Sequence, residues 1–425
     1  MVRLFYTCIL YPLMFCFFAA ASLVSRKIRK GFLPRFRTIS IIEKWCAQNN
    51  YPDDIVLYHA ASLGEFEHLK PIFLKLKKKF HIKNVVTIFS PSGYEHAKNV
   101  RGVDLIIYMP FDRGRTWKRF YELLKPKMII ISKHDVWPQQ IWSADRQKIP
   151  AFLINASLSQ TSSRLRPGIR YLLKNIYSRF KRIYAISSED AQRFSIHFNI
   201  DKILTAGDTK YDQVIARKIS GEKESLIAQE WYKDKFIFIG GSVWPDDLDH
   251  VAPACIRSFN LGDDIRIILA PHQPEDKIIK MITDTFSEWG VARLSDPVLP
   301  DNARVLVVDS VGSLATLYKY AKVAYIGGSF SQGIHNVMEA ATYGIPILYG
   351  PVHNNSYEAV QLQEKSGGIV IKNSDELYHW LGLFYHNNQE RMHIGRIAEA
   401  YVDKNAGAVE RIVNDLSVYF EGERR

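Results

Sequence analysis

Glu65 closes the run Tyr58-His59-Ala60-Ala61-Ser62-Leu63-Gly64-Glu65, in which an apolar stretch ends, small residues turn the chain and an amphipathic stretch begins. A carboxylate there stands at the carboxyl edge of a sheet, facing the expected cleft. The same position suits an ordinary helix cap, and spacing alone leaves both readings open. A second constellation runs from Gly327 to Glu339, as Gly-Gly-Ser-Phe-Ser-Gln-Gly-Ile-His-Asn-Val-Met-Glu. Gly327, Gly328 and Gly333 let backbone approach a ligand, helix-start N–H groups suit a phosphate, and Glu339 can accept from ribose hydroxyls. The spacing is not GxGxxG and no acidic residue follows at the dinucleotide distance, which argues against a dinucleotide. The plainer alternative is a tight turn into a helix, with Asn336 as its cap. Weaker signals share the same setting. Asp135 lies in Ser132-Lys133-His134-Asp135-Val136-Trp137-Pro138, and Lys210 in Gly207-Asp208-Thr209-Lys210-Tyr211-Asp212, whose bland reading is a salt-bridged hinge. Ser242 follows Gly240-Gly241, and His272 sits in Ala270-Pro271-His272-Gln273-Pro274-Glu275. Each begins where an apolar run stops.

The elements that must position these residues are legible as period and composition. Short β-rich runs occur at 55–59, 85–89, 105–108, 128–132, 151–155 and 182–186, with amphipathic stretches such as 65–79 and 115–124 between them. After a polar stretch the pattern restarts at 236–240, 265–270, 305–308, 323–326, 346–349 and 368–371, with helical stretches at 247–259 and 333–343. Strands alternating with helices predict parallel sheets, so the fold class is α/β with two doubly wound domains. The expected division is 1–37 as a membrane element, 38–212 as the first domain, 213–235 as a linker, 236–385 as the second domain and 386–425 as a helical tail. Ligands of such sheets bind at the carboxyl ends of strands, and the expected site is a cleft between the domains.

Composition narrows the class. The chain has 425 residues, 47% hydrophobic and 24% charged, the balance of a globular protein. Four cysteines without metal-ligand spacing argue for a reducing compartment. The net charge is +12, yet residues 1–37 hold seven basic side chains and no acidic one. More than half of the excess therefore flanks one segment, which speaks against a nucleic-acid partner. That segment, Leu4–Val24, is 21 residues without a charge. Its length matches a spanning helix, and Arg26, Lys27, Arg29 and Lys30 directly after it predict a cytoplasmic remainder. A cleaved signal peptide fits less well, because the basic cluster follows the apolar run. Pro12 leaves a kinked or interfacial helix open as well.

Taken in order, HAASLGE, SPSGYE (Ser90–Glu95), GDTKYD, APHQPE, GGSFSQGIHNVMEA and PILYGP (Pro346–Pro351) give a chain that closely resembles the bacterial 3-deoxy-D-manno-octulosonic acid (Kdo) transferases of lipopolysaccharide synthesis. The resemblance spans essentially the whole chain. It implies a GT-B fold and inverting transfer of Kdo from CMP-Kdo to a lipid A precursor at the cytoplasmic face of the inner membrane, without a covalent intermediate. It implies Glu65 as general base, and Ser329, Gly333, His335, Asn336 and Glu339 as the CMP-binding block, with Ser242 and His272 in further motifs of that domain. Asp135 takes the place of an acidic residue and Lys210 that of a basic one. Many members read Glu-Thr-Glu-Leu-Trp-Pro where this chain has Lys133-His134-Asp135-Val136-Trp137-Pro138, so the first acid is a lysine here. The chemistry expected is proton removal by Glu65, with backbone N–H groups after Gly327-Gly328 and Lys210 or His272 meeting the leaving phosphate, and with no metal or cofactor. The alternatives are another GT-B enzyme such as a nucleotide-sugar 2-epimerase, or a non-catalytic nucleotide-sugar binding protein. An epimerase would not need residues 4–37, and the retained Glu65 and Glu339 argue against a degenerate, non-catalytic site.

Overall fold

The computed structural model describes residues 2–98 and 100–421. The chain forms two compact units, Met1–Gln213 with Ala406–Arg425, and Val214–Asn405.

In the first unit, β1 (Ile55–Ala60), β2 (Lys83–Ile88), β3 (Leu105–Tyr108), β4 (Met128–Ser132), β5 (Ala151–Ala156), β6 (Arg182–Ala185) and β7 (Ile203–Thr205) form one parallel sheet ordered β3-β2-β1-β4-β5-β6-β7. β1, β4 and β5 are buried along their whole length, as strands covered by helices on both faces must be. The order reverses between β1 and β4, so the turns leaving these two strands diverge and open a crevice at their carboxyl ends. One face of the sheet packs on the helix Ala408–Glu421, through Val409, Ile412, Val413, Leu416 and Phe420. Asp212 holds the start of that helix, accepting from the N–H groups of Gly407 and Ala408, each at 3.0 Å.

The second unit repeats the plan. β8 (Phe236–Val243), β9 (Ile265–Pro271), β10 (Val291–Arg293), β11 (Val305–Val307), β12 (Val323–Ile326), β13 (Ile347–Tyr349) and β14 (Gly368–Val370) are ordered β10-β11-β9-β8-β12-β13-β14, all parallel. Its turning point lies between β8, which carries Gly240-Gly241 near its end, and β12, which Gly327-Gly328 directly follow.

Several sequence expectations are redrawn here. The polar stretch at 213–235 is not an extended linker, because the helix Thr209–Gly221 runs through its beginning and Gln229–Tyr232 is a further helical turn. The tail is helical, as Ser374–His386, Asn388–Asn405 and Ala408–Glu421, but it divides between the units, and residues 422–425 lie outside the described residues. The helix expected at 333–343 is only Met338–Ala341. Gly333 at φ +97° turns the chain away from helical geometry, and Asn336 Oδ1 accepts from Met338 N–H to start the helix late.

The apolar segment is one continuous helical stretch, Val2–Val24, compatible with a membrane anchor. It does not stand apart from the first unit. Tyr6 is buried and donates its hydroxyl to Asp112 Oδ2 at 2.7 Å, and Thr7 Oγ1 accepts from Gln139 Nε2 at 2.6 Å. Phe15 meets Phe111 edge-on at 5.1 Å between centroids. Phe5, Ile9, Leu13 and Phe17, spaced by four, stay exposed on the other face.

Candidate active site

The carboxyl edge of the first sheet is built by three strand exits. β1 ends at Ala60, and Ser62 caps the helix Leu63–Lys79, its Oγ accepting from Glu65 N–H at 3.4 Å. The Glu65 side chain folds back over its own turn, where Oε2 accepts from Ala61 N–H at 2.5 Å. The cap and the carboxylate are thus the same feature. Glu65 is 7% exposed. Burial raises its pKa; the Ala61 N–H opposes this, Asp135 pushes it further up, and His59 and Lys133 pull it down, leaving a net rise. A carboxylate held in this way is a stronger base than one in water.

His59, fully buried, joins β1 to the exit of β4. Its Nε2 lies 2.8 Å from Asp135 Oδ2 and its Nδ1 2.9 Å from Thr87 Oγ1. Thr87 spends its own hydrogen on the Tyr58 carbonyl, so it accepts from His59 Nδ1. Burial alone would raise Asp135, but the hydrogen bond and charge of His59 hold it below the usual carboxylate range. Lys133 sits at φ +61°, a left-handed conformation that turns the chain sharply at the end of β4. Its charge acts on both Glu65 and His68. The exit of β7 adds Asp208 and Lys210, paired at 3.4 Å in the hinge-like contact that the sequence also allowed. His68, one turn beyond Glu65, is pushed down to about 4, by burial first, with Lys133 and Lys210 also lowering it while Asp208 and Glu67 act the other way. Its Nδ1 is buried and unpartnered. The structure therefore gathers Glu65, Asp135, Lys133 and Lys210 on one edge, and adds His59 and His68. Sequence reading missed His68 because a polar residue at that helical spacing reads as a solvated face.

Lys133 gives a testable consequence. Lys133→Met removes a cation that lowers the Glu65 pKa, so the acid limb of kcat/KM against pH should move to higher pH. A limb that stays in place would mean that Glu65 does not set it.

In the second unit the turns after β8 and β12 touch through backbone. A Cβ on Gly327 would collide with the Ser242 carbonyl, and Ser242 itself takes φ +55°. Asp247, wholly buried, clamps them together, accepting from Tyr325 Oη at 2.6 Å, Gly328 N–H at 2.7 Å and Trp244 N–H at 2.8 Å. The Gly327 N–H is taken by the Gly241 carbonyl at 2.8 Å. The N–H groups of Gly327 and Gly328 themselves are therefore already spent, and these two glycines act by allowing close packing. Ser329 is likewise internal. It is fully buried, donates to the Ile326 carbonyl at 2.9 Å and accepts from Gly350 N–H at 2.7 Å. Its hydroxyl positions the turn.

What the turn displays is an aromatic stack. Trp244 and His272 lie 4.7 Å apart and His272 and His335 4.3 Å apart, nearly parallel. His335 Nε2 accepts from Trp244 Nε1–H at 2.9 Å, and burial together with nearby His272 lowers its pKa, so it is a neutral ring with its remaining hydrogen on Nδ1. His272 is exposed. Glu339 is held by Arg217 at 2.6 Å. Arg217, Trp244 and Asp247 are the residues sequence reading left out; each lies far in sequence from the partner that gives it meaning.

Residues 30–213 match the family model described as 3-deoxy-D-manno-octulosonic-acid transferase (kdotransferase). The chain is 26% identical to the 3-deoxy-D-manno-octulosonic acid transferase of Haemophilus influenzae, over 99% of each chain. It is 29% identical to that of Aquifex aeolicus, over 75% of this chain and 82% of the other. Among solved structures, the UDP-GlcNAc 2-epimerase from Neisseria meningitidis bound to UDP-GlcNAc superposes with a TM-score of 0.59 at 17% identity, covering 85% of this chain and 99% of that one. The epimerase from Methanocaldococcus jannaschii gives 0.53 at 15% identity, over 82% and 98%. At those identities the likeness is one of fold, the GT-B arrangement of two doubly wound units.

Proposed function

We propose that this chain is a 3-deoxy-D-manno-octulosonic acid (Kdo) transferase, a glycosyltransferase of lipopolysaccharide synthesis like the relatives it resembles, and that it carries Kdo from CMP-Kdo to a lipid A precursor, with inversion, at the cytoplasmic face of the inner membrane. The observation that carries the reading is Glu65, a buried carboxylate with a raised pKa at the exit of β1. In this reading Glu65 takes the proton of the acceptor hydroxyl as that oxygen attacks the anomeric carbon, and the bond to CMP breaks in the same displacement. Lys133 and Lys210 supply positive charge on the same edge, which suits an anionic donor and a phosphorylated acceptor. The second unit holds the nucleotide. The ring of His272 offers a face to a base, and Glu339, fixed by Arg217, accepts from ribose hydroxyls. Gly327, Gly328, Gly333, Ser329 and Ser242 shape that turn, while Asn336 starts the helix that carries Glu339. The apolar helix Val2–Val24 keeps the enzyme on the membrane that contains its acceptor.

Incubation of the full chain with CMP-Kdo and lipid A precursor should release CMP and add Kdo mass to the lipid. Free-sugar epimerisation without transfer, or binding without turnover, would overturn the assignment. Glu339→Ala should weaken CMP by about tenfold in calorimetry, the worth of a charge-assisted hydrogen bond, and leave the chemical step nearly intact. Unchanged affinity would remove the donor from this turn.

A further inference from the structure

The N-terminal helix does not simply cover the first unit; it roofs an almost wholly apolar crevice of about 230 Å³. Met14, Phe15 and Phe18 form the roof, Ile28 and Phe32 one wall, and Phe111 the other. The floor reaches Phe89 and Trp137. These two are the pointers to function. Phe89 directly follows β2, and Trp137 stands two residues after Asp135, so the crevice ends beside the edge that holds Glu65.

We propose that this crevice receives an acyl chain of the lipid acceptor and thereby sets its sugar at the edge carrying Glu65; the inference rests on the Kdo-transferase reading and names how the same site holds its substrate. Three observations support the choice of occupant. First, the helix is pinned along the first unit through Tyr6, Thr7 and Phe15, while Phe5, Ile9, Leu13 and Phe17 are exposed. A helix so pinned lies in the membrane interface with its exposed stripe in lipid, and the crevice behind it opens at the depth of acyl chains. Second, the rim is cationic. Lys27 lines the crevice, with Arg26 and Lys30 beside it, and none of the three has a carboxylate partner among the described residues. Arg35 is half-buried and gives its guanidinium to the carbonyls of Gly31, Met109 and Phe89 at 2.8, 3.0 and 2.7 Å, and the carboxylate that acts on its charge is Asp135, at the edge itself. An apolar slot with a positive rim complements a phosphorylated, acylated molecule and not a neutral one. Third, Tyr11 in the lining has its hydroxyl against the Arg113 guanidinium, which also lies 4.4 Å over the ring of Phe15, so a further cation stands at the crevice. The proximity to Asp135 selects the acceptor over bulk phospholipid, because only the acceptor has business at that edge.

The test uses the full chain in detergent with two acceptors, lipid A precursor and its chemically deacylated form. Each methylene removed from water is worth about fourfold in affinity, so blocking even part of the slot is measurable. Ile28→Trp, which fills the crevice, should raise KM for the acylated acceptor by about tenfold or more, and leave KM for the deacylated acceptor and for CMP-Kdo unchanged. An equal shift for both acceptors, or none for either, would overturn the proposal. A second measurement needs no variant. Lipid A precursor bearing a diazirine on an acyl chain should label the peptides containing Met14, Phe18 and Phe111 in the wild-type chain. Label confined to the exposed stripe, or crevice label from photoactivatable phosphatidylglycerol that the acceptor does not displace, would also overturn it. Wild-type chain that transfers Kdo to neither acceptor, yet is labelled in the crevice, would sink the activity reading and leave the crevice as a lipid site.

Discussion

Glu65→Gln is expected to lower kcat for Kdo transfer by about 10²–10⁴-fold, the usual contribution of a general base, with little change in CMP-Kdo affinity. The substitution keeps an amide oxygen to accept from Ala61 N–H, so the turn survives. It also removes a charge that is costly where it stands. The folded pKa of Glu65 is raised above its unfolded value, so its contribution to stability is fully present below the unfolded pKa and is lost as pH rises through the folded one. At neutral pH the glutamine protein should therefore melt no lower than wild type. Single-turnover kinetics beside a thermal melt separate the outcomes. Loss of rate with an intact melt supports the base, whereas a fall in both would return Glu65 to the role of a helix cap.

Asp112→Ala should have the largest effect on stability, about 4 kcal/mol. Asp112 is 2% exposed and accepts four hydrogen bonds, from Tyr6 Oη at 2.7 Å, Trp117 Nε1 at 2.8 Å, and the N–H groups of Gln139 and Gln140, each at 3.0 Å. Alanine leaves all four donors buried without a partner. Tyr6→Phe removes only one of the four and should cost about 1 kcal/mol. Burial nevertheless outweighs those donors and pushes the Asp112 pKa up to about 6. The stability it provides is thus greatest in acid and declines as pH rises through about 6, a dependence that the alanine protein should lack. Chemical unfolding of the full chain in detergent at pH 4.5 and 7.5 measures both. An Asp112→Ala effect no larger than that of Tyr6→Phe would mean that the helix is not strapped through this residue.

The alternation of strands and helices was open to reading, because β-branched runs ending in small residues mark the exits of β1, β4, β8 and β12 whatever the tertiary context. β7 and β10 were not, since three residues at or near a sheet edge carry no period. The candidate site was open to reading as residue types at strand exits, Glu65 and Asp135 among them. Sequence does not say where hydrogens point. The Gly327 and Gly328 N–H groups look available until the Gly241 carbonyl and Asp247 are seen to hold them, and Ser329 looks exposed until its hydroxyl is found bonded on both sides. Tyr6 and Asp112 stand 106 residues apart, and nothing local to either signals the other.

The helix Ala408–Glu421 belongs to the unit whose strands begin at Ile55, and the whole of Val214–Asn405 is synthesised between them. During translation the first sheet therefore waits with Phe152 and Tyr184 still without the helix that Tyr419 and Asp415 bring to them. The nascent chain thus carries an unfinished, sticky sheet for as long as the second unit takes to emerge. Closure by residues 406–421 becomes a late checkpoint, so a ribosome stalled before that point leaves a first unit that has its Glu65 turn but lacks part of its back wall, a ready substrate for chaperones and proteases.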